Sequence, residues 1–333
     1  MERLDHFMAR ANAAYYATHD PFADFTTSPE ITQVFGELLG AWAAIVWDQL
    51  GRPTPIHLAE CGPGRGTLMQ DARRTTARIA PAFHAAAAVH LIETSPRLRN
   101  QQAERLPDAT WYDRLEDLPS GPLILIANEF LDALPIRQFV RRGQIWTERW
   151  VDDGVFREEP AHLPLRFGGG WGEGPAASTD PEIHEINEQA QAWTKHLGTR
   201  LAREGGAALI LDYGPAKSAP GDTLQALKAG RPANPLDTPG AADLTAHVDF
   251  QALATVAREA GAEIHGPLQQ GPFLARLGLF QRTGALARTQ PPARATALIH
   301  AAQRLAEPDR MGGLFKAMAL CQPGAPTPPG FET

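Results

Sequence analysis

The sequence has very little cysteine and no long hydrophobic run. Cys61 and Cys321 are the only cysteines among 333 residues, which excludes a disulfide framework and a zinc site built from several cysteines. The longest apolar stretch, Leu38 to Trp47, is about half as long as a helix that crosses a bilayer. We therefore predict neither a membrane insertion nor a metal site.

Basic residues are fewer than acidic residues. The chain has 31 lysine and arginine residues against 38 aspartate and glutamate residues, a net charge of −7, and no basic stripe with interleaved aromatics. This balance predicts no nucleic-acid partner. The segment from Met1 to Phe7 carries two acids and lacks the apolar run of a signal peptide and the acid-poor, arginine-rich composition of a transit peptide. We expect a cytoplasmic protein.

The most informative stretch runs from Ile56 to Thr67. A short apolar run that contains Glu60 is followed by glycines at alternate positions, Gly62, Gly64 and Gly66. This pattern predicts a buried strand, a tight turn and the start of a helix. Glycines in such a turn permit positive φ and allow a ligand to approach the backbone N–H groups closely. We predict that this loop holds a nucleotide-like cofactor.

The spacing of the glycines distinguishes between cofactors. A dinucleotide-binding loop has the pattern G-x-G-x-x-G, with an acid about 20 residues further on. Here Thr67 replaces the third glycine of that pattern, and the acid that closes the next strand, Glu93, lies further away. Both features argue against NAD. The arrangement resembles motif I of class I S-adenosylmethionine-dependent methyltransferases, whose cofactor has an amino group and a ribose diol that each suit a carboxylate.

The elements around the loop alternate as an α/β sheet requires. The polar Asp24–Glu30 cluster contains two alternative helix starts, Ser28 with Pro29 or Thr27 with Glu30 as a capping box. The cluster either only caps the helix or also covers the cofactor. We predict helices at 3–17, from 28 to Gly51, at 67–79 and at 95–105, and strands at 86–93, 109–112 and 123–127.

Two segments should face the cofactor at the carboxyl ends of these strands. Leu123 to Ala127 is nearly all apolar, as a fully buried parallel strand should be, and continues into Asn128–Pro135 near the expected position of the transferable methyl group. The third strand ends at Asp113. The resemblance to class I methyltransferases implies that Asp113 holds the adenine amino group.

Five motifs together make the resemblance specific. In chain order they are Asp24-Phe-Thr-Thr-Ser-Pro-Glu30, Glu60-Cys-Gly-Pro-Gly-Arg-Gly66-Thr, Glu93-Thr-Ser-Pro, Asn128-Glu-Phe-Leu-Asp-Ala-Leu-Pro135 and Asp212-Tyr-Gly214. This set is similar to that of the MidA-like methyltransferases, whose mitochondrial member is a respiratory NADH dehydrogenase assembly factor that methylates an arginine of one subunit. The resemblance implies S-adenosylmethionine as cofactor. It implies that the cofactor is bound by Thr26, Thr27, Pro29, Glu60, Gly62, Gly64, Gly66, Glu93, Asp113 and Asn128.

Beyond Pro135 the strand–helix alternation breaks. The segment 139–151 alternates about Gly143 and indicates a β-hairpin, and the glycine- and proline-rich stretch 160–181 that follows shows no periodicity. Further on we predict a helix at 182–204, a strand at 207–212, a loop at 215–243, a helix from Asp249 to Ala260 and then the closing strands, which start at 262–265. The proline-rich tail from Pro323 is not assigned a structure.

The predicted fold is a doubly wound, Rossmann-like class I methyltransferase sheet with an N-terminal helical segment and an inserted hairpin and loop subdomain. We divide the chain into five regions. They are an N-terminal helical cap (1–51), a core in two parts (52–135 and 182–290), an inserted lid that contacts the substrate (136–181), a second loop insertion (215–246) and a C-terminal region of helices and tail (291–333).

The acidic residues after the fourth strand suit a cationic acceptor. An arginine side chain stays protonated, so carboxylates are needed to orient its guanidinium group. Glu129 and Asp132 lie three residues apart and can share one side of a helical turn, although capping of that turn is the structural alternative. His247 is the best histidine candidate for a role in the site. We predict these three residues as catalytic.

The sequence therefore predicts an S-adenosylmethionine-dependent methyltransferase that modifies an arginine of a protein, with a respiratory NADH dehydrogenase subunit as candidate substrate. A methyltransferase for small molecules and a cofactor-binding assembly factor without turnover remain alternatives. The oligomeric state is open, a homodimer included.

Overall fold

The computed structural model describes residues 1–19, 26–161 and 181–332. The predicted cluster residue Asp24 and most of the glycine- and proline-rich stretch 160–181 lie outside these ranges. The described strands, in chain order, are β1 (Glu2–Arg3), β2 (Ile56–Cys61), β3 (Ala87–Ile92), β4 (Thr110–Tyr112), β5 (Leu123–Asn128), β6 (Arg137–Arg142), β7 (Ile145–Asp152), β8 (Val155–Pro160), β9 (Glu182–Ile186), β10 (Gly206–Tyr213), β11 (Gln225–Lys228), β12 (Arg231–Ala233), β13 (Asp243–Thr245), β14 (Glu263–Gln269) and β15 (Phe315–Cys321).

Helices connect these strands and cover the main sheet. In chain order they are α1 (Leu4–Thr18), α2 (Ser28–Ile31), α3 (Gln33–Gln49), α4 (Thr67–Ile79), α5 (Pro81–Ala86), α6 (Pro96–Arg105), α7 (Glu188–Glu204), α8 (Phe250–Glu259), α9 (Gln270–Arg276), α10 (Leu279–Ala287), α11 (Pro292–Ala306) and α12 (Met311–Leu314). No helix in the described part of the chain is long and apolar enough to cross a membrane.

The main sheet has seven strands in the order β14-β15-β10-β5-β2-β3-β4. Strands β4, β3, β2, β5 and β10 run parallel, whereas β15 is antiparallel to both of its neighbours. All residues of β2 and β5 are buried, as their apolar runs predict for central strands. The fold prediction of a doubly wound sheet is confirmed. The strand order reverses between β2 and β5, which is where open α/β sheets bind ligands.

Helices pack on both faces of this sheet. Helices α3 and α4 lie on one face and α7 and α8 on the other, each with its own cluster of buried apolar side chains. Two glycines of α3 permit very close packing on α4, because a Cβ atom on Gly40 would lie 2.7 Å from the Cα atom of Ala72 and one on Gly36 would lie 2.8 Å from the Cβ atom of Asp71. This contact anchors the helix that begins directly after the glycine loop.

Two smaller antiparallel sheets lie beside the main sheet. One contains β1, β6, β7, β8 and β9, and the other contains β11, β12 and β13. The predicted hairpin about Gly143 is present as β6 and β7, with Phe139 opposite Glu148. Apolar side chains of α1, including Phe7 and Met8, share a buried cluster with residues of both small sheets. Helix α1 therefore connects the small sheets to each other.

Two predicted helices differ from their predicted bounds, one by an interruption and one by a later start. The helix predicted from residue 28 is interrupted at Thr32, whose extended backbone separates α2 from α3 and whose hydroxyl accepts a hydrogen bond from the amide of Val34 at 3.3 Å. The helix predicted from Glu182 starts at Glu188, capped by Asn187, because the preceding residues form β9 and pair with β6.

Two regions predicted without strands contribute strands. The segment 215–243, predicted as a loop, contains β11, β12 and the start of β13. The segment 291–333, predicted as helices and tail, contains β15, which lies between β10 and β14 in the main sheet. The proline-rich tail also packs, because the ring of Phe331 lies 5.1 Å from that of Phe273.

Candidate functional site

A cavity of about 450 Å³ opens at the carboxyl ends of β2, β3 and β5. This is the edge where the strand order reverses and where the glycine loop was expected to hold its ligand. Eight residues singled out in the sequence line this cavity: Thr27, Pro29, Glu60, Gly62, Gly64, Glu93, Asn128 and Glu129. We call it the cofactor cavity.

The glycine loop has the backbone that its sequence predicts. Gly62, Gly64 and Gly66 have φ values of 61°, 53° and 76°, in the left-handed region that favours glycine. A Cβ atom on Gly62 would lie 3.1 Å from the ring of Phe130. The loop is closed by a hydrogen bond of 2.7 Å from the amide of Gly66 to the carbonyl of Pro63. Gly66 does not line the cavity; it precedes α4 and supports the turn.

Glu60 lies buried at the end of β2. Its carboxylate accepts a hydrogen bond from the amide of Met69 in the first turn of α4, while Oε2 has no hydrogen-bond partner among the described residues. Burial raises the pKa of this carboxyl to about 8. A buried carboxylate of this kind is stabilised by a cationic donor in the adjoining cavity.

Glu93 follows β3 and accepts a hydrogen bond of 2.8 Å from the amide of Ser95. Burial raises the pKa of its carboxyl. The fully buried Gln102 on α6 braces this side of the cavity, since its Nε2 donates to the carbonyl of Gly64 at 2.7 Å and lies 3.4 Å from the second oxygen of Glu93. Trp111 donates to the Oε1 atom of Gln102 at 2.8 Å. Gln102 is not among the predicted site residues, because a single glutamine on a polar helix forms no recognisable sequence pattern.

The N-terminal segments cover the cofactor cavity. Helix α1 contributes Asn12 and Tyr16 to its lining, and the segment before α2 contributes Thr27 and Pro29. The predicted capping box between Thr27 and Glu30 is absent, because no side chain caps α2. Glu30 instead accepts a hydrogen bond from the hydroxyl of Thr67 at the start of α4.

A second cavity of about 250 Å³ adjoins the first, and we call it the acidic pocket. Tyr16 and Glu129 line both cavities. The other residues that line the acidic pocket come from six separate parts of the chain: Thr26, Asp132, Tyr213, Gln225, Leu227, Asp243, Thr245, His247, Leu314 and Phe315.

The turn after β5 carries two of the carboxylates. Glu129 has a φ of 51°, unusual for a residue with a side chain, and its Oε1 accepts hydrogen bonds from the amide of Ser28 at 2.8 Å and the amide group of Asn128 at 3.1 Å. Burial raises the pKa of Glu129. Since unusual backbone conformations concentrate at functional sites, this geometry favours a functional position for Glu129.

Asp212, at the end of β10, holds that turn in place. Its Oδ2 accepts hydrogen bonds from the amides of Phe130, Leu131 and Asp132 at 3.2, 2.9 and 3.3 Å. Burial raises the pKa of Asp212 to about 7, and burial together with the neighbouring carboxylates raises the pKa of Asp132 well above its usual value. Asp212 therefore has a structural role, while Asp132 faces the acidic pocket and is hydrogen-bonded to Tyr213.

The third carboxylate was not anticipated. Asp243 is 4% exposed at the start of β13, and its Oδ1 accepts a hydrogen bond of 2.7 Å from the hydroxyl of Tyr16. Burial and the nearby carboxylates raise the pKa of this tyrosine. Asp243 falls at the end of the predicted loop 215–243, and no sequence pattern connects it with the site.

Three other predicted site residues lie outside the cofactor cavity. Thr26 and His247 line the acidic pocket and not the cofactor cavity, and burial lowers the pKa of His247, so its ring is neutral at pH 7. Asp113 lines neither cavity. Its side chain is 70% exposed and forms a salt bridge of 2.7 Å with Arg99, since β4 ends at Tyr112 and the chain then turns towards solvent. The adenine contact remains a prediction that this position does not support.

The fold and the glycine-loop cavity define a class I S-adenosylmethionine-dependent methyltransferase. A family model described as an S-adenosyl-L-methionine-dependent methyltransferase matches residues 38–268. The chain belongs to this family, the MidA-like methyltransferases.

Named relatives and a solved structure agree with this assignment. The mitochondrial protein arginine methyltransferase NDUFAF7 of Danio rerio is 35% identical over 339 residues, which cover 92% of this chain and 79% of the relative. The Homo sapiens protein of the same name is 32% identical over 349 residues, which cover 96% and 79%. The crystal structure of a Burkholderia thailandensis protein bound to S-adenosyl-homocysteine superposes with a TM-score of 0.77 at 25% identity, and the match covers 99% of this chain and 88% of that one.

The relatives overturn one sequence prediction. The names of those from Danio rerio, Drosophila melanogaster and Homo sapiens include the word mitochondrial, which contradicts the expected cytoplasmic location. The expectation rested on the composition of the segment from Met1 to Phe7 and on the short apolar runs of the chain. These properties describe the folded domain, which keeps them in whichever compartment it works, so they do not determine the location.

The cofactor cavity suits S-adenosylmethionine. A positively charged amino group matches Glu60 and its unpartnered Oε2 atom, and a ribose diol matches the carboxylate of Glu93. Asn128 adds an Oδ1 atom without a hydrogen-bond partner among the described residues. These contacts are our assignments for the bound cofactor.

We expect Glu93→Ala to weaken cofactor binding by about 10- to 150-fold, because hydrogen bonds to a charged group contribute about 1.5–3 kcal/mol. Calorimetric titration with S-adenosyl-homocysteine measures the loss. Glu104→Ala is the control, since Glu104 is exposed on the neighbouring helix and does not line the cavity. Equal affinity of the Glu93 variant and the parent would move the ribose contact elsewhere.

Cofactor binding should release about one proton at pH 7. The pKa of Glu60 is raised to about 8, so its carboxyl is mostly protonated at pH 7 without cofactor, and pairing with an ammonium group favours the charged form. Affinity should therefore rise with pH until about pH 8. Calorimetry in two buffers of different ionisation enthalpy counts the protons. Glu60→Gln should abolish the release, and an undiminished release in this variant would contradict the assignment.

Proposed function

We propose that this protein transfers a methyl group from S-adenosylmethionine to an arginine side chain of a protein. The observation that carries the proposal is the acidic pocket, which adjoins the cofactor cavity at Glu129 and has Asp132 and Asp243 in its lining. The names of the relatives, protein arginine methyltransferases, support it.

The chemistry of the pocket suits a guanidinium group. Guanidinium is planar, permanently charged and presents five N–H donors, and carboxylates can bind these donors in pairs. Burial raises the pKa of Asp132, and repulsion by the neighbouring carboxylates raises it too, so a cation bound in this small cavity would relieve the repulsion. An uncharged acceptor would not relieve this repulsion.

Bound S-adenosylmethionine supplies an electrophilic methyl group on its sulfonium. The residues of the chain hold the acceptor nitrogen in line and accept the proton that this nitrogen loses when it forms a new bond. Glu129 suits both tasks, because it lines both cavities and burial raises the pKa of its carboxyl. His247, neutral at pH 7, is the second candidate for the proton.

The test is a labelled-methyl experiment. Purified protein is incubated with methyl-tritiated S-adenosylmethionine and a protein extract, and the labelled proteins are hydrolysed to amino acids. We expect the label on methylated arginine. Subunits of respiratory NADH dehydrogenase are the first purified acceptors to test, because the family resemblance suggests them.

The other outcomes identify the alternatives. Label on lysine, nucleic acid or a small molecule would contradict an arginine acceptor and leave a methyltransferase. Cofactor binding without any transfer would favour an assembly factor that does not turn over. A variant that cannot bind the cofactor measures the background level of labelling in this assay.

A further inference from the structure

We propose that Asp243 is an additional acceptor-binding carboxylate and that Tyr16 is a positioning residue that holds it in place. The inference rests on the proposed function and extends it to residues that neither the sequence motifs nor the family resemblance identified. One wall of the acidic pocket is the turn after β5, and a second wall comes from α1 and β13. The inference is based on the second wall.

The carboxylates reach the pocket from different parts of the fold. Glu129 and Asp132 follow β5 of the main sheet, whereas Asp243 begins β13 of the three-stranded sheet. Asp132 and Asp243 interact electrostatically with each other and with the hydroxyl of Tyr16, so the three groups lie close together. An acceptor in the pocket would therefore meet carboxylates from both walls.

Helix α1 fastens β13 to the rest of the site. Asn12 is buried, and its side chain donates to the carbonyl of Leu244 at 2.8 Å and accepts from the amide of Leu244 at 3.0 Å. The same side chain donates to the carbonyl of Ala133, in the turn after β5, at 3.0 Å. One asparagine thus ties the residue next to Asp243 to the segment that carries Glu129 and Asp132.

Tyr16 completes this connection four residues further along α1. Its hydroxyl donates to Asp243 at 2.7 Å, and its backbone carbonyl accepts a hydrogen bond of 3.4 Å from the hydroxyl of Ser95, which follows Glu93. Tyr16 also lines both cavities. Tyr16 therefore fixes the position of Asp243 in the acidic pocket relative to the segment after Glu93 in the cofactor cavity.

This arrangement favours arginine over lysine. The guanidinium group carries donors on several edges and can bind carboxylates on two walls at once, whereas a lysine ammonium group is a compact point charge on a flexible stem. Binding from two sides also limits rotation of the acceptor, which aligns its nitrogen with the cofactor.

The experiment compares two blocked amino acids of nearly equal shape. Nα-acetyl-arginine methylamide carries the charged guanidinium, and Nα-acetyl-citrulline methylamide carries a neutral urea. Their dissociation constants are measured by NMR titration with the full chain saturated with S-adenosyl-homocysteine. The variants are Asp243→Asn and Tyr16→Phe. The control, Asp237→Asn, removes the same charge from an exposed residue near β12 that lines neither cavity.

We expect the parent and the control to bind the arginine probe at least tenfold more tightly than the citrulline probe. Asp243→Asn should reduce this preference by about tenfold or more, and Tyr16→Phe by a smaller factor, because the carboxylate then remains but loses its hydrogen bond. Affinity for S-adenosyl-homocysteine should stay within about twofold in Asp243→Asn, because Asp243 does not line the cofactor cavity, and a general loss of structure would not allow this.

The outcomes separate the two proposals. A parent that does not prefer the arginine probe overturns the proposed function and this inference with it. A parent that prefers arginine, together with an unchanged preference in both variants, overturns this inference alone. If Asp243→Asn does not fold, the result for Tyr16→Phe decides, because that variant loses only a hydroxyl group.

Discussion

Replacing Gly64 by valine should abolish measurable cofactor binding, a loss of at least about 100-fold, or about 2.7 kcal/mol. Gly64 lines the cofactor cavity with a φ of 53°, a conformation that costs a residue with a side chain roughly 1–3 kcal/mol and a β-branched residue more. The added side chain would also occupy space where a ligand approaches the backbone. Titration with S-adenosyl-homocysteine measures the effect.

A matched variant separates the loss of the ligand contact from backbone strain. Gly143 lies in the turn of the β6–β7 hairpin with a φ of 60°, and a Cβ atom there would meet no atom within 4 Å. Gly143→Val therefore carries similar strain at a position away from the cavity. It should lower the temperature of unfolding and leave cofactor affinity unchanged. Unaltered micromolar binding by Gly64→Val would exclude this loop as the cofactor site.

Glu129→Gln should reduce methyl transfer by about one to two orders of magnitude, while cofactor affinity stays nearly intact. The substitution keeps an oxygen that can accept the hydrogen bonds from Ser28 and Asn128, so the turn should keep its shape. It removes the negative charge that faces the acceptor and the group that we assign to receive its proton. Single-turnover transfer to the acceptor identified by labelling measures the rate of the step.

The control for this variant is Glu204→Gln. Glu204 ends α7 just before β10 begins, at the opposite edge of the parallel strands, and its carboxylate accepts a hydrogen bond from the amide of Gly121. This change should not affect transfer. Full activity of Glu129→Gln would show that the acceptor is oriented by other groups, with Asp132 and Asp243 as the next residues to test.

The elements around the cofactor loop were predictable because their signals are local. Helix α4 has the predicted bounds, since the glycines before it and the apolar period within it lie in one short segment. The apolar run of β5 likewise indicated a central strand, and the acids at the ends of β2 and β3 indicated where a cofactor would bind. Both acids line the cofactor cavity.

Elements that depend on a distant partner were not predictable in the same way. The residues of β9 resemble the start of the helix that follows, and only their pairing with β6 makes them a strand. Strand β15 follows a series of helices, and its place between β10 and β14 depends on pairing with residues at least 47 positions earlier in the chain, the separation of Gln269 and Lys316. Propensity within one segment contains no information about such a partner.

The sequence by itself determined the sheet class, the glycine loop and the cofactor, because each follows from residues that are neighbours in the chain. Only the tertiary structure decided which side chains form the acidic pocket. Tyr16, Glu129 and Asp243 are far apart in sequence, and they meet because α1 packs against both small sheets and Asn12 bonds to the backbone of β13. A hydrogen bond between such distant segments depends on how the whole chain folds, so no local pattern predicts it.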